Sequence, residues 1–209
     1  MKILVADDHS VVRKGLIQIV KEMPEVAEVE EAVNGLEVLD KVKSTEFDLI
    51  VLDISMPDKS GLDVLIELKN YYGNLPVLIL STYPEELYAI RALKAGASGY
   101  LNKSTAAEEL AFAIRRVAKG EKYVSTTLAE KLAFSFGEDK SKLPHEKLSD
   151  REFQVLLLIA SGKSLSQIAE SLFLSSKTIS TYRARILEKM DLTNNAEITN
   201  YAIKNNLVE

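Results

Sequence analysis

The sequence predicts an α/β domain followed by a smaller all-α domain. Through residues 1–120 of the 209-residue chain, short apolar runs rich in Val, Ile and Leu alternate with amphipathic stretches. This is the pattern of a parallel sheet covered by helices on both faces. From Gly120 onward the alternation stops, and residues 148–209 show helical periodicity alone. We therefore predict two domains, 1–120 and 148–209, joined by a linker with a short helix at 121–147.

Five strands and five helices account for the first domain, and each helix follows a strand. The apolar runs predict strands, and stretches with apolar residues every three or four positions predict helices. Five β-α units running in one direction predict a doubly wound (βα)5 fold, in which ligands bind beyond the carboxyl ends of the strands. The strands are predicted at 2–6, 27–32, 47–52, 75–80 and 99–101, and the helices near 10–22, 35–43, 61–71, 85–95 and 105–119.

The second domain is predicted to be a bundle of four helices. It follows an apolar-periodic piece, Leu128–Phe136, and a stretch of small and charged residues, Gly137–Pro144, which predicts a linker. Ser149 and Glu152 have the spacing of a capping box at the start of the first helix, which should end at Gly162. The other helices are predicted at Ser166–Leu172, from Ser176 through Met190, and at Ala196–Asn205.

Composition excludes several classes of protein. Because the chain has no cysteine, it has no disulfide framework, thiolate zinc site or cysteine nucleophile. No apolar run approaches the ~18 residues that a membrane helix needs, and Asp7 and Asp8 come too early for a signal peptide. We therefore expect a cytoplasmic chain without a membrane partner. The net charge of −5 lies in residues 1–120, which hold 14 Lys and Arg against 19 Asp and Glu.

Three carboxylates follow the ends of predicted strands. Asp7 and Asp8 come after the first strand and Asp53 after the third, and the carboxyl ends of parallel strands meet at one edge of the sheet. Oxygen ligands without His or Cys suit Mg²⁺. Lys103 and Ser81 end the fifth and fourth strands at the same edge. The set predicts an anion-stabilising site in which a carboxylate attacks phosphorus.

Other residues near this edge, and one in the linker, receive structural interpretations. His9 has no second histidine at metal-ligand spacing, so we expect a structural or rim position. Pro57 and Gly61 are interpreted as turn residues, with Pro fixing φ and Gly permitting a positive φ. His145 lies in the predicted linker and is expected to be solvated.

The joint between the second and third C-terminal helices has the pattern of a helix-turn-helix. Ala169 is small where the helices approach, Leu174 fills the turn and Ile179 faces inward. In this motif the second helix enters the major groove of DNA. Basic charge is concentrated on that helix, where Lys177, Arg183, Arg185 and Lys189 stand against a single acid, Glu188.

These motifs carry a resemblance to a known family. Val5-Ala-Asp-Asp-His, Leu52-Asp-Ile-Ser-Met-Pro-Asp, Leu80-Ser-Thr and Gly96-Ala-Ser-Gly-Tyr-Leu-Asn-Lys resemble the receiver domain of two-component response regulators, over residues 1–120. Leu148–Leu207 resembles the four-helix DNA-binding domain of LuxR-type regulators. Together they make the chain similar to a NarL/FixJ-type response regulator.

The resemblance implies roles for the residues at the sheet edge. Asp53 would accept a phosphoryl group from a partner histidine kinase. Asp8 and Asp53 would coordinate Mg²⁺ directly, together with the backbone carbonyl of Ser55, and Asp7 would act mostly through a water. Lys103 would pair with the phosphoryl oxygens. Ser81 and Tyr100 would form the switch pair, the hydroxyl moving to the phosphoryl group and the ring following it inward.

It also implies roles in the second domain. Ser180, Thr181 and Ala184 would occupy the groove-facing positions, where this sequence lacks the lysine of other members and so offers weakly discriminating base contacts. We assign mainly phosphate contacts to Lys177, Thr178, Arg183, Arg185 and Lys189. The last helix, with Ile198, Ala202 and Ile203, would form the dimer contact on DNA, although core packing explains most of these residues equally well.

The predicted function is that of a phosphorylation-controlled transcription factor, not an enzyme, which dimerises on an inverted-repeat operator in double-stranded DNA. A magnesium-dependent phosphohydrolase would need an acid two residues after Asp53, where Ser55 stands. A receiver-controlled protein- or RNA-binding module is weakened by the lack of base-stacking aromatic clusters. The receiver dimer face stays open between the helices near 10–22 and 105–119 and the helix near 85–95 with the last strand.

Overall fold

The computed structural model describes residues 1–104, 107–135 and 143–208. The backbone divides into two compact units, Met1–Phe136 and Gly137–Glu209, which are considered separately below. In the described ranges, no helix combines the length and the apolar composition needed to cross a membrane.

The first unit contains one sheet of five parallel strands in the order β2-β1-β3-β4-β5. The strands are β1 (Lys2–Ala6), β2 (Glu28–Ala32), β3 (Leu49–Asp53), β4 (Val77–Ser81) and β5 (Gly99–Asn102). The order confirms the predicted doubly wound fold. Its register pairs Ala6 with Leu52 and Asp53 with Leu80, so that the carboxyl ends of the central strands lie side by side.

Helices follow the strands as the periodicity predicts. They are α1 (Ser10–Lys21), α2 (Gly35–Ser44), α3 (Gly61–Tyr71), α4 (Glu85–Lys94) and α5 (Ala107–Ala118); residues 105 and 106 of the predicted fifth helix lie outside the described residues. The fourth strand begins at Val77, two residues later than predicted. Because Pro76 has no N–H to donate, it contributes only its carbonyl, to Ile50 N–H at 3.0 Å.

The core lies on the central strands, and charge covers the sheet edge at β2. β3 and β4 are buried along their whole length, whereas Glu28 and Glu31 of β2 are exposed. Lys2 Nζ lies 3.0 Å from Glu28 and 2.8 Å from Glu30. The charged side chains on β2 therefore help to protect this edge strand from pairing with another chain.

At the opposite edge, the chain after α5 packs along β5. Tyr123 forms an isolated parallel bridge with Gly99, and its carbonyl accepts from Tyr100 N–H at 3.3 Å. Gly99 is required there, because a Cβ would lie 2.7 Å from the Tyr123 carbonyl oxygen. Leu128, on α6 (Thr126–Ser135), is buried. Packing of the first unit therefore continues beyond residue 120.

The second unit contains a short 3-10 helix (Pro144–Lys147) and four α-helices, α7 (Asp150–Ala160), α8 (Leu165–Ser171), α9 (Ser176–Met190) and α10 (Asn195–Lys204). Residues 136–142 of the predicted linker, Phe136 included, fall outside the described part of the chain. The capping box at Ser149 and Glu152 is confirmed, and Gly162, with φ 82°, follows α7 as expected.

His145 is not simply solvated, and that expectation was wrong. Its Nδ1 lies 2.8 Å from the Tyr201 hydroxyl, and its ring stacks on Phe153 with the ring centroids 5.7 Å apart. Two aromatic neighbours from α7 and α10 thus hold the 3-10 helix against the bundle. The sequence places His145 beside a Pro in a polar stretch, which gave no sign of these distant partners.

Candidate functional site

The acidic side chains predicted to converge do lie together at the carboxyl edge of the sheet. Asp7 is fully buried and Asp53 is 2% exposed, whereas the Asp8 side chain is 15% exposed. One ligand atom from each of these residues and from His9 lies within 4.8 Å of the others. The ends of β1 and β3 bring the acids together because these strands are neighbours in the sheet.

Lys103 provides the cation of this pocket. Its Nζ lies 2.7 Å from Asp7 Oδ2 and 2.8 Å from Asp53 Oδ2. Burial raises the pKa of Asp53, and the Lys103 ammonium only partly opposes that rise. Burial lowers the pKa of Lys103, but its contacts with Asp53 and Asp7 outweigh this and leave the pKa above its ordinary value.

The donor set fits a hard divalent cation. The Lys103 ammonium is paired with Asp7 Oδ2 and Asp53 Oδ2, and Asp8 Oδ1 lies 2.7 Å from His9 Nδ1. One ammonium compensates the charge of three clustered carboxylates only in part, and carboxylates are ligands that Mg²⁺ prefers.

The loop after β3 is built around close backbone packing. A Cβ on Gly61 would lie 1.9 Å from the Asp53 carbonyl oxygen, so this position admits no side chain. We expected a positive φ at Gly61, and that expectation was wrong. The positive φ in this turn belongs to Asp58, at 63°. The glycine is needed for close approach, since its N–H also donates to the Ile54 carbonyl at 2.9 Å.

Ser81 and Tyr100 are connected through the backbone of Tyr83. The Ser81 hydroxyl oxygen accepts from Tyr83 N–H at 3.1 Å, and the Tyr100 hydroxyl donates to the Tyr83 carbonyl at 2.8 Å. Both side chains are fully buried, so the Tyr100 ring already lies inward. The Ser55 hydroxyl lies 3.1 Å from the Tyr83 hydroxyl, which links the loops after β3 and β4. Burial raises the pKa of Tyr100.

Arg13 is a pocket residue that the sequence analysis missed. Its guanidinium is nearly buried and donates from one terminal nitrogen (NH1) to the Asp7 carbonyl at 2.7 Å and from Nε to Glu31 at 2.7 Å. The available signal was periodicity, because Arg13 stands on the same helical stripe as Leu16 and Val20. A charged residue on a buried stripe indicates a specific partner.

In the second unit, α8 and α9 form the predicted helix-turn-helix. The turn closes by Leu174 N–H donating to the Ala169 carbonyl at 2.9 Å and Phe173 N–H donating to Glu170 at 3.2 Å, the pairing of a Schellman motif. Phe173 has a φ of 54° and is 74% exposed. Ile179 is buried, so the inward face of α9 is the one predicted.

Most predicted DNA-contacting residues lie on the accessible face of α9. Lys177, Ser180, Thr181, Ala184 and Arg185 are exposed, and Thr178 and Arg183 are half-buried. The hydroxyls of Ser180 and Thr181 donate to their own helix, to Ser176 at 2.9 Å and Lys177 at 3.0 Å. Toward a base they can therefore act as acceptors.

Two basic residues of α9 already have partners within the domain. Arg183 Nε lies 2.5 Å from Asn195 Oδ1, which orients the guanidinium at the start of α10. Lys189 Nζ lies 2.6 Å from Glu152, a 2% exposed carboxylate on α7. A phosphate contact by Lys189 would require this ion pair to open, so the structure assigns Lys189 to holding α9 against α7.

The predicted dimer contact on α10 needs correction. Ile198 and Ala202 are fully buried in the bundle, and only Ile203, at 53% exposure, reaches the surface. Apolar residues at helical spacing predict one buried stripe, and that stripe faces α7 rather than a partner chain. Ile203 alone remains available for an intermolecular contact.

The fold and the acidic pocket define a receiver-type α/β domain in one chain with a helix-turn-helix domain. The family description "Response regulator receiver domain" matches residues 3–115, and "Bacterial regulatory proteins, luxR family" matches residues 146–202. The chain belongs to the two-component response regulators with a LuxR-type DNA-binding domain.

Relatives match along the whole chain. The response regulator UvrY of Escherichia coli K12 is 32% identical, over 99% of this chain and 95% of the relative. The oxygen regulatory protein NreC of Staphylococcus haemolyticus is 37% identical, over 100% of both. Among solved structures, the response regulator ChrA of a heme-sensing two-component system has a TM-score of 0.53 at 31% identity, covering 99% of this chain and 98% of that chain. RcsB of Salmonella enterica serovar Typhimurium, bound to promoter rprA with the phosphomimetic BeF3⁻, has a TM-score of 0.65 at 25% identity, covering 96% and 97%.

Proposed function

We propose that Asp53 is the phosphoacceptor of this response regulator and that its phosphorylation by a partner histidine kinase controls DNA binding by α9. One observation carries this proposal: Asp7, Asp8, Asp53 and Lys103 converge at a single edge of the sheet, with the Lys103 ammonium in contact with Asp53. A buried nucleophilic carboxylate beside a fixed cation is suited to attack on phosphorus.

In the phosphotransfer step, an Asp53 carboxylate oxygen attacks the phosphorus of the kinase's phosphohistidine. The new O–P bond forms as the P–N bond breaks, and the departing imidazole keeps the electron pair and takes up a proton. When bound to Asp8, Asp53 and the Ser55 carbonyl, Mg²⁺ would neutralise phosphoryl charge. Lys103 would pair with the phosphoryl oxygens, and the fully buried Asp7 would act on the metal mostly through a water.

The switch proceeds through the loop after β4. Phosphorylation adds about two negative charges and new acceptor oxygens to the pocket. The Ser81 hydroxyl oxygen accepts from Tyr83 N–H, and its own O–H would turn to donate to a phosphoryl oxygen. Since Tyr100 and Asn102 both donate to the Tyr83 carbonyl, a change at Ser81 alters the contacts of the whole loop. The loop after β4 would therefore have two alternative sets of contacts, and phosphorylation would select between them.

DNA contacts are assigned to the accessible face of α9. Lys177, Thr178, Arg183 and Arg185 would contact phosphates, and Ser180, Thr181 and Ala184 would face base edges. RcsB, a relative in structure, is bound to a promoter in the presence of a phosphomimetic, which supports DNA binding by a chain of this architecture. A homodimer on an inverted repeat would combine two weak sites. We propose no catalytic turnover for this protein. We also propose a cytoplasmic location, which is consistent with the lack of cysteine.

The test is selection of genomic DNA fragments by the full-length protein, with and without Mg²⁺ and BeF3⁻. We expect recovery of a shared inverted repeat only with the mimic. Asp53→Asn should abolish that dependence. Asp58→Asn is the matched control: it makes the same chemical change five residues away, at an exposed residue whose positive φ Asn tolerates, and it should respond like wild type.

Other outcomes would decide against the proposal. A normal response by Asp53→Asn would exclude Asp53 as the phosphoacceptor. Recovery independent of the mimic would leave a DNA-binding protein whose receiver is not the switch. No recovery in either state would favour the protein- or RNA-binding module.

A further inference from the structure

A half-buried lysine lies at the amino edge of the sheet, away from the acidic pocket. Lys69, near the end of α3, packs its stem on Gly96, where a Cβ would lie 3.0 Å from Lys69 Cγ and 3.3 Å from Cδ. Its Nζ donates to the Leu75 carbonyl at 2.6 Å and approaches the Gly73 carbonyl at 3.4 Å. Because these residues precede β4 and β5, the proposed phosphotransfer at the carboxyl edge does not use this amine.

A second cation lies against the same loop. Lys122, which follows α5, is exposed, and its Nζ donates to the Ala97 carbonyl at 2.7 Å. Since Gly96 and Ala97 are adjacent, both lysines contact the connection between α4 and β5. Among the residues that the structure describes, the acceptors of both ammonium groups are backbone carbonyls, and no carboxylate pairs with either. The two cations therefore share one surface without a counterion.

This arrangement changes the reactivity of Lys69. Burial lowers the pKa of Lys69, and the Lys122 ammonium lowers it further. A lysine that is desolvated and lies near another cation is activated as a nucleophile, because a larger fraction of the amine carries a free electron pair at neutral pH. The exposed Lys122 ammonium is available to an anionic group of an incoming molecule. The surface thus combines a nucleophile with a cation that can bind the anionic part of its reaction partner.

We propose that Lys69 is a site of acylation by small acyl phosphates, with Lys122 pairing with the phosphate of the donor. The uncharged Lys69 Nζ attacks the acyl carbonyl carbon and forms a C–N bond. The bond from that carbon to the phosphate oxygen breaks, phosphate leaves with the electron pair, and the Nζ proton passes to solvent. The amide product is uncharged, so the repulsion between the two lysines disappears, and one N–H remains to donate to Leu75.

The test is the acylation of individual lysines in the full-length protein. Wild type is incubated with acetyl phosphate in the absence of Mg²⁺, and acetylation at each lysine is followed over time by mass spectrometry. Although Lys69 is half-buried, it should react roughly threefold or more faster than Lys163, an exposed lysine of the second unit. The rate at Lys69 should also reach half its maximum at a lower pH than the rate at Lys163, which a merely accessible amine would not show.

Two variants with the same loss of charge test the role of the second cation. Lys122→Met should slow acetylation at Lys69 by roughly threefold or more, because it removes both the repulsion and the cation that binds the donor. Lys119→Met, at an exposed lysine on the same stretch, should have little effect. With p-nitrophenyl acetate, an uncharged donor, the effect of Lys122→Met should be smaller.

Several results would overturn the inference. Acetylation of Lys69 no faster than that of Lys163 would do so in wild type, without any variant that could fail to fold. Equal slowing by Lys119→Met and Lys122→Met would show a general effect of charge, and equal slowing with both donors would exclude pairing with the phosphate. Asp53→Asn should be acetylated at Lys69 like wild type, so failure of the proposed phosphoacceptor would leave this inference standing.

Discussion

Arg13 shows how one buried side chain organises residues that are distant in sequence. Its guanidinium joins the Asp7 carbonyl at the end of β1 to Glu31 at the end of β2. Because the contact is made to the backbone of Asp7, it orients the loop that carries the acid pair.

Arg13→Met should lower the free energy of unfolding by about 1–3 kcal/mol, because it removes two hydrogen bonds and leaves a buried carbonyl without its donor. Urea denaturation measures this. Glu31→Gln is the control and should cost less than about 1 kcal/mol, since the Glu31 side chain is 52% exposed. Equal losses from both variants would contradict a special role for the Asp7 carbonyl contact.

Gly61 gives a second prediction for a single residue. Gly61→Ala should destabilise the first unit by about 3 kcal/mol or more, because a Cβ there would overlap backbone rather than a movable side chain. Thermal and urea unfolding provide the measurement. Gly15→Ala is the matched comparison: no atom lies within 4 Å of its Cβ position, and replacing a helical glycine should stabilise by about 0.5–1 kcal/mol. Destabilisation by both would indicate a general effect of the added methyl group.

Helices of the second unit are held together by an ion pair as well as by apolar packing. The Glu152 carboxylate completes the capping box of α7 by accepting from Ser149 N–H at 2.8 Å. It also forms an ion pair with Lys189 Nζ of α9 at 2.6 Å. Burial acts to raise the pKa of Glu152, but Lys189 and Ser149 prevail and leave it below its ordinary value. One carboxylate thus fixes both the start of α7 and the end of the recognition helix.

Glu152→Gln should reduce stability at neutral pH by about 1–3 kcal/mol, since the Lys189 ammonium and the Ser149 N–H lose a charged acceptor that is itself buried. Because the folded pKa is lowered, the contribution of Glu152 is present above the unfolded value of about 4.5 and is lost as the pH falls through the folded value. The difference between wild type and Glu152→Gln should therefore shrink below about pH 4.5. Urea titrations at a series of pH values measure it; a constant difference at acid pH would count against the ion pair.

For the chain as a whole, charge differs between the two domains. The acidic excess lies in residues 1–120, whereas residues 148–209 are neutral overall and carry Lys177, Arg183 and Arg185 on α9. Nucleic-acid affinity from such contacts is mostly electrostatic and depends on salt. In the proposed groove-facing positions, Ser180, Thr181 and Ala184 would discriminate less between sequences than lysine or arginine, so DNA shape should contribute to selectivity.

Arg185→Ala should weaken binding on specific and unrelated DNA alike and lower the slope of affinity against salt by roughly one unit. Fluorescence anisotropy at several salt concentrations measures both effects. Lys204→Ala, at an exposed lysine on α10, removes the same charge away from the recognition helix and should have little effect. A loss confined to the specific operator would show that Arg185 reads a base rather than a phosphate.

Local patterns were sufficient to predict the fold class, the order of the elements and the convergence of Asp7, Asp8 and Asp53. Hydrophobic periodicity depends on neighbours along the chain, and parallel strands bring their carboxyl ends to one edge whatever their sequence separation. The same reasoning placed Lys103 and Ser81 at that edge. The roles of these residues in phosphotransfer stay predictions.

Packing between distant segments decided the rest. Arg13 can be buried because oxygens of Asp7, after β1, and of Glu31, in β2, accept its hydrogen bonds. Gly61 is needed because the Asp53 backbone lies too close to admit a side chain. Ile198 and Ala202 face α7 rather than a second chain, and His145 meets two aromatic rings. Periodicity can indicate that Arg13, Ile198 and Ala202 face inward, but it does not identify the segment that each of them contacts, since that depends on where the tertiary structure brings a second segment.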